Sequence, residues 1–271
     1  MPDPPHCGGA KPGAGRRVRA YGRAVLRFAV LAGALVVAGC GGGPMTTYTL
    51  LQMNLCLSGL APCYHHSAVV DEAVARIEAV RPDAVTFNEA CRGDVAAIAR
   101  RTGYRLRFSR VIYRGAPLPC IHPGGRGLFG DAVLTNAPVQ RSDERDFTAQ
   151  AGIERRRWLC VRTSALDVCT AHLNGRTPVE VAGNDAQCAE LARILARRAA
   201  GRTVIFGGDV NRRSPCAPAG LWIRTDRGAR QAPGLQQAYG SPALRAPSAQ
   251  VVPAAHTDHD VLVVRARLSP R

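Results

Sequence analysis

Apolar residues recur along this chain with two periods, and the breaks between them outline the elements. Residues 48–54 alternate and then end in polar residues, which predicts a strand. Val70, Ala73, Val74 and Ile77 share one face of a helix, with Ser67 as its N-cap and Pro82 as its stop. Residues 83–87 read as a buried strand ending at Asn88-Glu89, and 94–101 as a short helix. Strands are predicted over 104–113 and 128–135, and a hairpin over 158–162 and 168–173. Thr177-Pro178-Val179-Glu180 reads as a capping box with Pro at the first helical position. The helix it opens carries Cys188, Leu191, Ala192 and Leu195 on one face. A central strand over 203–206 runs into Gly207-Gly208-Asp209, and 260–268 is a last strand. Stretches 115–126, 140–155 and 214–234 read as loops. Strands and helices that alternate early, then hairpins, predict a mixed-sheet α/β fold.

Several apolar runs end in groups suited to chemistry. Asp209 and Asn211 stand two residues apart, so in extended backbone both point to one side, and Gly207 and Gly208 let a ligand approach. A carboxylate and an amide aimed together suit a metal-bound phosphate, although a lone Gly-Asp-x-Asn is more often a turn. His172 and Asn174 repeat the spacing. A histidine there can act as an acid at a leaving oxygen, although a lone histidine is more often structural. Thr257-Asp258-His259 is the densest acid–base cluster. Its histidine, with an ordinary pKa near ~6.5, can serve as a base at neutral pH. Glu89 closes a buried strand that would not tolerate it unpaired. It reads as a hard oxygen ligand for Mg²⁺ or Ca²⁺, or as a surface residue at a strand end. Asn54 alone is ambiguous. Zinc would want a third nitrogen or sulfur ligand nearby, and none is evident.

The start of the chain changes the picture of where the protein works. Arg16, Arg17, Arg19, Arg23 and Arg27 precede an apolar run over 28–38, which ends in Val37-Ala38-Gly39-Cys40. This order predicts a secretory signal over 1–39 rather than a buried helix, and the run is too short to span a bilayer. Cys40 at the cleavage position resembles a bacterial lipoprotein signal: lipid on Cys40, a tether over 40–45, a domain over 46–271, and a place at the cell surface. Plain secretion is the alternative. Eight further cysteines in an exported chain suggest disulfides, and Cys160 and Cys169 would face each other across the predicted hairpin. Past residue 39 the chain holds 30 arginines against 19 acids, a net +11, and a positive field draws polyanions such as nucleic acid or an anionic membrane face.

Taken in order, Asn54, Glu89, His172-x-Asn174, Gly208-Asp209-x-Asn211 and Thr257-Asp258-His259 resemble the endonuclease/exonuclease/phosphatase superfamily, the DNase I-like enzymes. Residues 130–136 resemble its middle strand. The resemblance spans about residues 46–268. It implies a four-layer α/β sandwich, two mixed, mostly antiparallel sheets flanked by helices, and a phosphoesterase dependent on a divalent cation, Mg²⁺ or else Mn²⁺ or Ca²⁺. It implies Glu89 as principal metal ligand with Asn54 and Asp258. His172, Asn174 and Asn136 would lie on the phosphate, Asp209 and Asn211 would orient water and phosphate, and His259 would be base or transition-state stabiliser. One departure stands out: residues 234–240 lack the acid that orients the histidine in many members, which leaves Gln237 as a substitute acceptor.

The expected reaction is hydrolysis of a phosphodiester in nucleic acid, with Arg92, Arg126 and residues 155–157 as backbone-binding candidates or else a solvated basic face. The rival enzyme is a lipid or inositol phosphate phosphatase or a sphingomyelinase-like phospholipase C. The rival of another class is a non-catalytic surface binding protein of the same fold.

Overall fold

Leu50, Gln52 and Asn54 point to one face of the first strand, and Leu51 and Met53 to the other; all five are buried. A strand buried on both faces needs a layer on each side. The computed structural model describes residues 45–269; the predicted signal, Cys40 and most of the tether lie outside the described residues. The elements are β1 (Thr46–Asn54), α1 (His66–Val80), β2 (Ala84–Cys91), α2 (Arg92–Thr102), β3 (Arg105–Arg110), β4 (Ile112–Tyr113), β5 (Ala116–Pro117), β6 (Phe129–Thr135), β7 (Arg141–Asp146), β8 (Glu154–Arg155), β9 (Arg157–Arg162), β10 (Asp167–Ala171), α3 (Val181–Ala199), β11 (Val204–Asp209), β12 (Trp222–Thr225), β13 (Gln236–Gly240), β14 (Leu244–Val252) and β15 (Val261–Leu268).

Two six-stranded sheets result, ordered β14-β15-β1-β2-β6-β3 and β12-β13-β11-β10-β9-β7, with a small β5-β4-β8 sheet beside them. Parallel pairs β1–β2 and β10–β11 sit among antiparallel neighbours. Val70, Ala73, Val74 and Ile77 of α1 and Val95 and Ile98 of α2 cover the outer face of the first sheet. Leu191, Ile194 and Leu195 of α3 cover the outer face of the second. Leu50, Ala84, Val133, Val168, Ile205, Ala238 and Leu262 fill the layer between the sheets. The architecture is the four-layer DNase I-like sandwich.

The inner layer positions the site. Along β1 the inward residues run Leu50, Gln52, Asn54; along β2 they run Ala84, Thr86, Asn88; along β11 they run Ile205, Gly207, Asp209. With a side-chain period of two, each strand carries its apolar residues at one end of the sandwich and its polar residues at the other. Gly207 stands where the two regimes meet: a Cβ there would lie 2.5 Å from Thr86 Oγ1, so only glycine lets the sheets approach.

Several predicted boundaries shift. His65, not Ser67, occupies the N-cap of α1, and Ser67 lies inside the helix. The capping box is not formed: Thr177 Oγ1 donates to Glu180 Oε2 at 2.8 Å, and α3 begins one turn later at Val181. Stretches expected to be loops contain β7, β8 and β12. β7 is all polar and β12 only partly buried, so their registers come from backbone pairing with β9 and β13 rather than from apolar alternation. Cys160 and Cys169 are paired across β9 and β10 and bonded as expected. Three more disulfides join Cys56–Cys63, Cys91–Cys120 and Cys188–Cys216.

Candidate active site

Glu89 sits where β2 leaves its register with β6, in a left-handed conformation with φ +51° that few non-glycine residues adopt. A bulge of this kind re-aims a side chain. Here it turns Glu89 inward, and Asn54 Nδ2 donates to Glu89 Oε1 at 2.9 Å. The same Nδ2 donates to Asp209 Oδ2 at 3.1 Å, so one amide joins a carboxylate from each sheet. Asn54 itself is held by Gln236 Oε1, which accepts from its backbone N–H, and by Thr257 Oγ1, which donates to its carbonyl.

The histidines take opposite charge states. Burial, and then the Arg156 guanidinium, push His172 down to about 3, so its ring is neutral. Arg156 Nη1 lies 2.8 Å from His172 Nδ1 and can only donate, and so can Asn211 Nδ2, so the neutral ring accepts at one nitrogen only, at Nδ1 from Arg156 or at Nε2 from Asn211. His172 Nε2 stands 3.9 Å from Glu89 Oε1, 3.8 Å from Asp209 Oδ2 and 2.9 Å from Asn211 Nδ2. For His259, burial works against the charged form, but Asp209 and Asp258 outweigh it and raise the pKa to about 10. Its Nδ1 lies 2.9 Å from Asp258 Oδ1. Its Nε2 lies 3.1 Å from Asp209 Oδ2, an ion pair that falls off the line of a good hydrogen bond. His259 is therefore an imidazolium near neutral pH in the cation-free protein, which favours the stabilising role over the base.

The acids divide in the same way. Burial would raise Asp209, but His259 and His172 hold it well below the usual carboxylate range. Burial raises Glu89 to about 7, with the charges of Asp209 and Asp258 adding to it. Asp258 is half-exposed; burial is overcome by its contact with His259, which lowers its pKa. Glu89, Asp209 and Asp258 are hard oxygen donors, and Glu89 meets the Asn54 amide and the neutral His172 ring, which fits a divalent cation of the Mg²⁺ or Ca²⁺ kind at Glu89. A thiolate site does not fit. The sulfurs of Cys56 and Cys63 do approach the Asp258 carboxylate, all within 4.8 Å, but they are spent in a disulfide.

Other expected site residues lie elsewhere. Asn174 is fully buried; its Nδ2 donates to Ala151 O at 2.9 Å and its Oδ1 accepts from Gln187 Nε2, so it braces the chain after β10 rather than a phosphate. Asn136 follows the end of β6 that pairs with Ala84, at the opposite end of β2 from Glu89, about 17 Å of strand away. It bonds Asp83 there and cannot meet the same phosphate. Arg126 is buried and donates to Leu57 O, Pro123 O and Asp94, a structural cation rather than a backbone clamp. Arg92 is exposed and lines a separate cleft with Arg107 and Arg110. Gln237 is occupied by Arg212 O and Tyr239 and offers nothing to His259.

What the sequence hid is a second ring of uncharged and paired groups. Asn88 Oδ1 accepts from Asp209 N at 2.7 Å and from Gln52 Nε2 at 2.8 Å, while its Nδ2 donates to Asp131 at 2.8 Å, so it stitches the two sheets under the site. Burial raises Asp131 to about 7, eased by that bond. A buried acid from upstream bonds residues 234 and 236. Asp226, fully buried after β12, accepts from Gly234 N at 2.8 Å, lies 3.4 Å from Gln236 Nε2, and exchanges field with His259.

The family model described as Endonuclease/Exonuclease/phosphatase family matches residues 57–259. The chain belongs to that family. As a member it is a phosphoric ester hydrolase, and enzymes of this family typically depend on a divalent metal. Among curated proteins none matches the sequence. Solved structures do. The human nocturnin catalytic domain with bound sulfate has a TM-score of 0.62 at 17% identity, covering 81% of this chain and 93% of its own. An endonuclease/exonuclease/phosphatase from Beutenbergia cavernae gives 0.60 at 20%, covering 82% and 72%. D. rerio TDP2, complexed with a single-strand DNA product, gives 0.57 at 12%, covering 82% and 99%. Identities of this size show a shared fold. The candidate site of this endonuclease/exonuclease/phosphatase enzyme draws on both sheets, with Glu89 from the first and His172, Asp209 and Asn211 from the second or its strand ends.

Proposed function

We propose that the protein is an exported, Mg²⁺-dependent phosphodiesterase that cuts the nucleic-acid backbone. The observation that carries the reading is the single amide of Asn54 joining Glu89 to Asp209, with the neutral His172 within 4 Å of both and the charged His259 3.1 Å from Asp209. Glu89, with Asp258, would hold the cation, which when bound neutralises charge on the phosphoryl and leaving oxygens, while the Asn54 amide, expected as a ligand, turns its N–H donors to the carboxylates and its oxygen to Cys56 N. Asp209 stays ionised and aligns the attacking water by accepting from it. The His259 imidazolium faces the phosphoryl oxygens, where negative charge grows as water adds to phosphorus and the leaving P–O bond breaks. His172, with Nδ1 against Arg156 and Nε2 against the Asn211 amide, faces another of these oxygens.

Nucleic acid is favoured as substrate by the net +11 past residue 39 and by the single-strand DNA product in the D. rerio relative. Export is supported by the arginines and apolar run ahead of Cys40, and four disulfides suit an oxidising compartment. On the lipoprotein reading Cys40 carries the anchor and holds the enzyme on the outer membrane face.

The test is a substrate panel of plasmid, RNA, sphingomyelin, inositol phosphates and a generic diester, each with Mg²⁺, Mn²⁺ or Ca²⁺ and with chelator. Cleavage of DNA or RNA that chelator abolishes is expected. Intact nucleic acid beside a hydrolysed phosphomonoester or lipid overturns the substrate assignment.

A further inference from the structure

Beside Glu89 and His172 opens a cleft of about 270 Å³ whose two walls differ in chemistry. One wall is apolar: Leu60, Tyr113, Leu118 and Phe129. Leu60 is 57% exposed, a large apolar side chain presented at the mouth rather than packed away, while Phe129 is buried. Glu154 and Arg156, paired at 2.8 Å, line the cleft next to His172. Tyr113 and Glu154 are paired across the small sheet, so the two walls are joined at one edge by backbone hydrogen bonds.

The cleft is built rather than left over. The loop that carries Leu60 is closed by the Cys56–Cys63 disulfide. Ile121 N donates to Ser58 O at 3.0 Å, and Arg126 holds Leu57 O at 2.9 Å. Gly59, at φ +81°, lies so close to Ile121 O that a Cβ there would fall 2.1 Å from it, so the loop is pressed onto its neighbour. Order of this kind lowers the cost of seating a ligand.

A phosphate held at Glu89 and His172 must send one of its ester substituents along this cleft. The substituent has to suit an apolar surface bearing a tyrosine and, beside it, a carboxylate and a guanidinium. An acyl chain satisfies only the first and would strip water from the second without replacing its hydrogen bonds. A nucleobase satisfies both, having an apolar face for stacking and donors and acceptors along its edge. We propose that the recess seats the nucleobase of the residue adjoining the scissile phosphate, stacked against Tyr113 and flanked by Leu60, with its edge toward Glu154 and Arg156. This rests on the reading of the site as a nucleic-acid diesterase and adds to it a subsite that senses whether a base is present.

The test uses the full-length protein, with Leu60→Asp and Tyr113→Ala as variants. The probes are a short single-stranded oligonucleotide and its counterpart with an abasic residue next to the cleaved bond. For the wild-type protein the abasic residue is expected to lower kcat/KM by on the order of tenfold, the scale of one lost base–aromatic stack. For both variants the ratio of the two rates is expected to shrink to about twofold or less, with melting temperatures matched to wild type. If both strands are cut and the penalty is absent in wild type or equal in all three proteins, the recess does not read the base, while the diesterase reading stands. If neither strand is cut and a lipid phosphodiester is, both fall together.

Discussion

Arg156 Nη1 stands 2.8 Å from His172 Nδ1, so a fixed positive charge faces the ring of a histidine at the centre of the site and helps keep it neutral. The arginine is itself buried and lies 2.8 Å from Glu154 Oε1, an arrangement that leaves it little freedom. Replacing Arg156 by Gln removes the positive charge while keeping a donor. The His172 pKa is expected to rise from about 3 while staying below the ordinary imidazole range, because burial is the larger cause of the depression and persists. Activity is expected to fall about ten- to hundredfold, the usual cost of losing the partner that orients a reacting group. An NMR titration of the His172 ring checks the first expectation. An unchanged midpoint would show that the arginine does not set this charge state.

Glu89 combines a raised pKa of about 7 with a left-handed backbone. Because the folded state keeps its proton longer than the unfolded chain does, ionising Glu89 costs stability. In cation-free protein this contribution is harmless below the unfolded pKa near 4.5 and grows as pH rises to about 7. A cation needs the carboxylate, so its affinity is expected to weaken as pH falls below about 7. Glu89→Gln is therefore expected to melt higher than wild type at pH 8 in chelator, and to lose the melting-temperature gain that Mg²⁺ gives wild type. Saturating ligand at about 100 times Kd stabilises by ~2.7 kcal/mol, which is easily read. An equal Mg²⁺ response in both proteins would remove Glu89 from the cation site.

His259 is raised to about 10 by Asp209 and Asp258, against its burial. Its contribution to stability is fully present below the unfolded pKa near 6.5 and is lost as pH climbs through about 10. In chelator its ring should hold its protonated chemical shift through pH 8, and His259→Asn should flatten the alkaline limb of the stability profile. Asp226→Asn should lower the His259 midpoint, since a buried charge that acts on the ring is removed, whereas Gln237→Ala should leave it in place. A wild-type midpoint near 6.5 would restore His259 as the base.

The sites that could be read from the chain share one property: a chemically distinctive side chain closes an apolar run. Glu89, His172 and Asp209 qualify, whereas His259 lies in the loop between β14 and β15 and is marked only by the density of the Thr257-Asp258-His259 cluster. Asn88, Gln52 and Gln236 do not qualify. They are amides inside buried strands, and their role appears only when the second sheet brings Asp209 N within 2.7 Å of Asn88. Asp226 was hidden for a similar reason: it lies between two short strands, one of which, β13, carries two glutamines where an apolar pattern would have announced it. Asn136 and Asn174 illustrate the opposite error. Both have the right residue type at the end of the right strand, but Asn136 stands at the wrong end of the sheet and Asn174 is consumed by Gln187.

Arg126 offers a last contrast, because residue type alone marked it as a phosphate-binding candidate. Its Nη1 lies 2.7 Å from Asp94 Oδ2 and 2.9 Å from Leu57 O, its Nε donates to Pro123 O, and its guanidinium covers the Tyr64 ring at 5.0 Å. Removing it strands a buried carboxylate and three carbonyls. Arg126→Ala is expected to cost about 3–5 kcal/mol, the scale for breaking a buried ion pair. In a domain of this size that lowers the melting temperature by about 10 °C. Arg92→Ala, at an exposed position, should leave melting unchanged. The Arg126 variant should bind a single-stranded oligonucleotide with the same salt dependence as wild type, since no phosphate contact is lost. A shallower salt slope with unchanged melting would return Arg126 to the nucleic-acid surface.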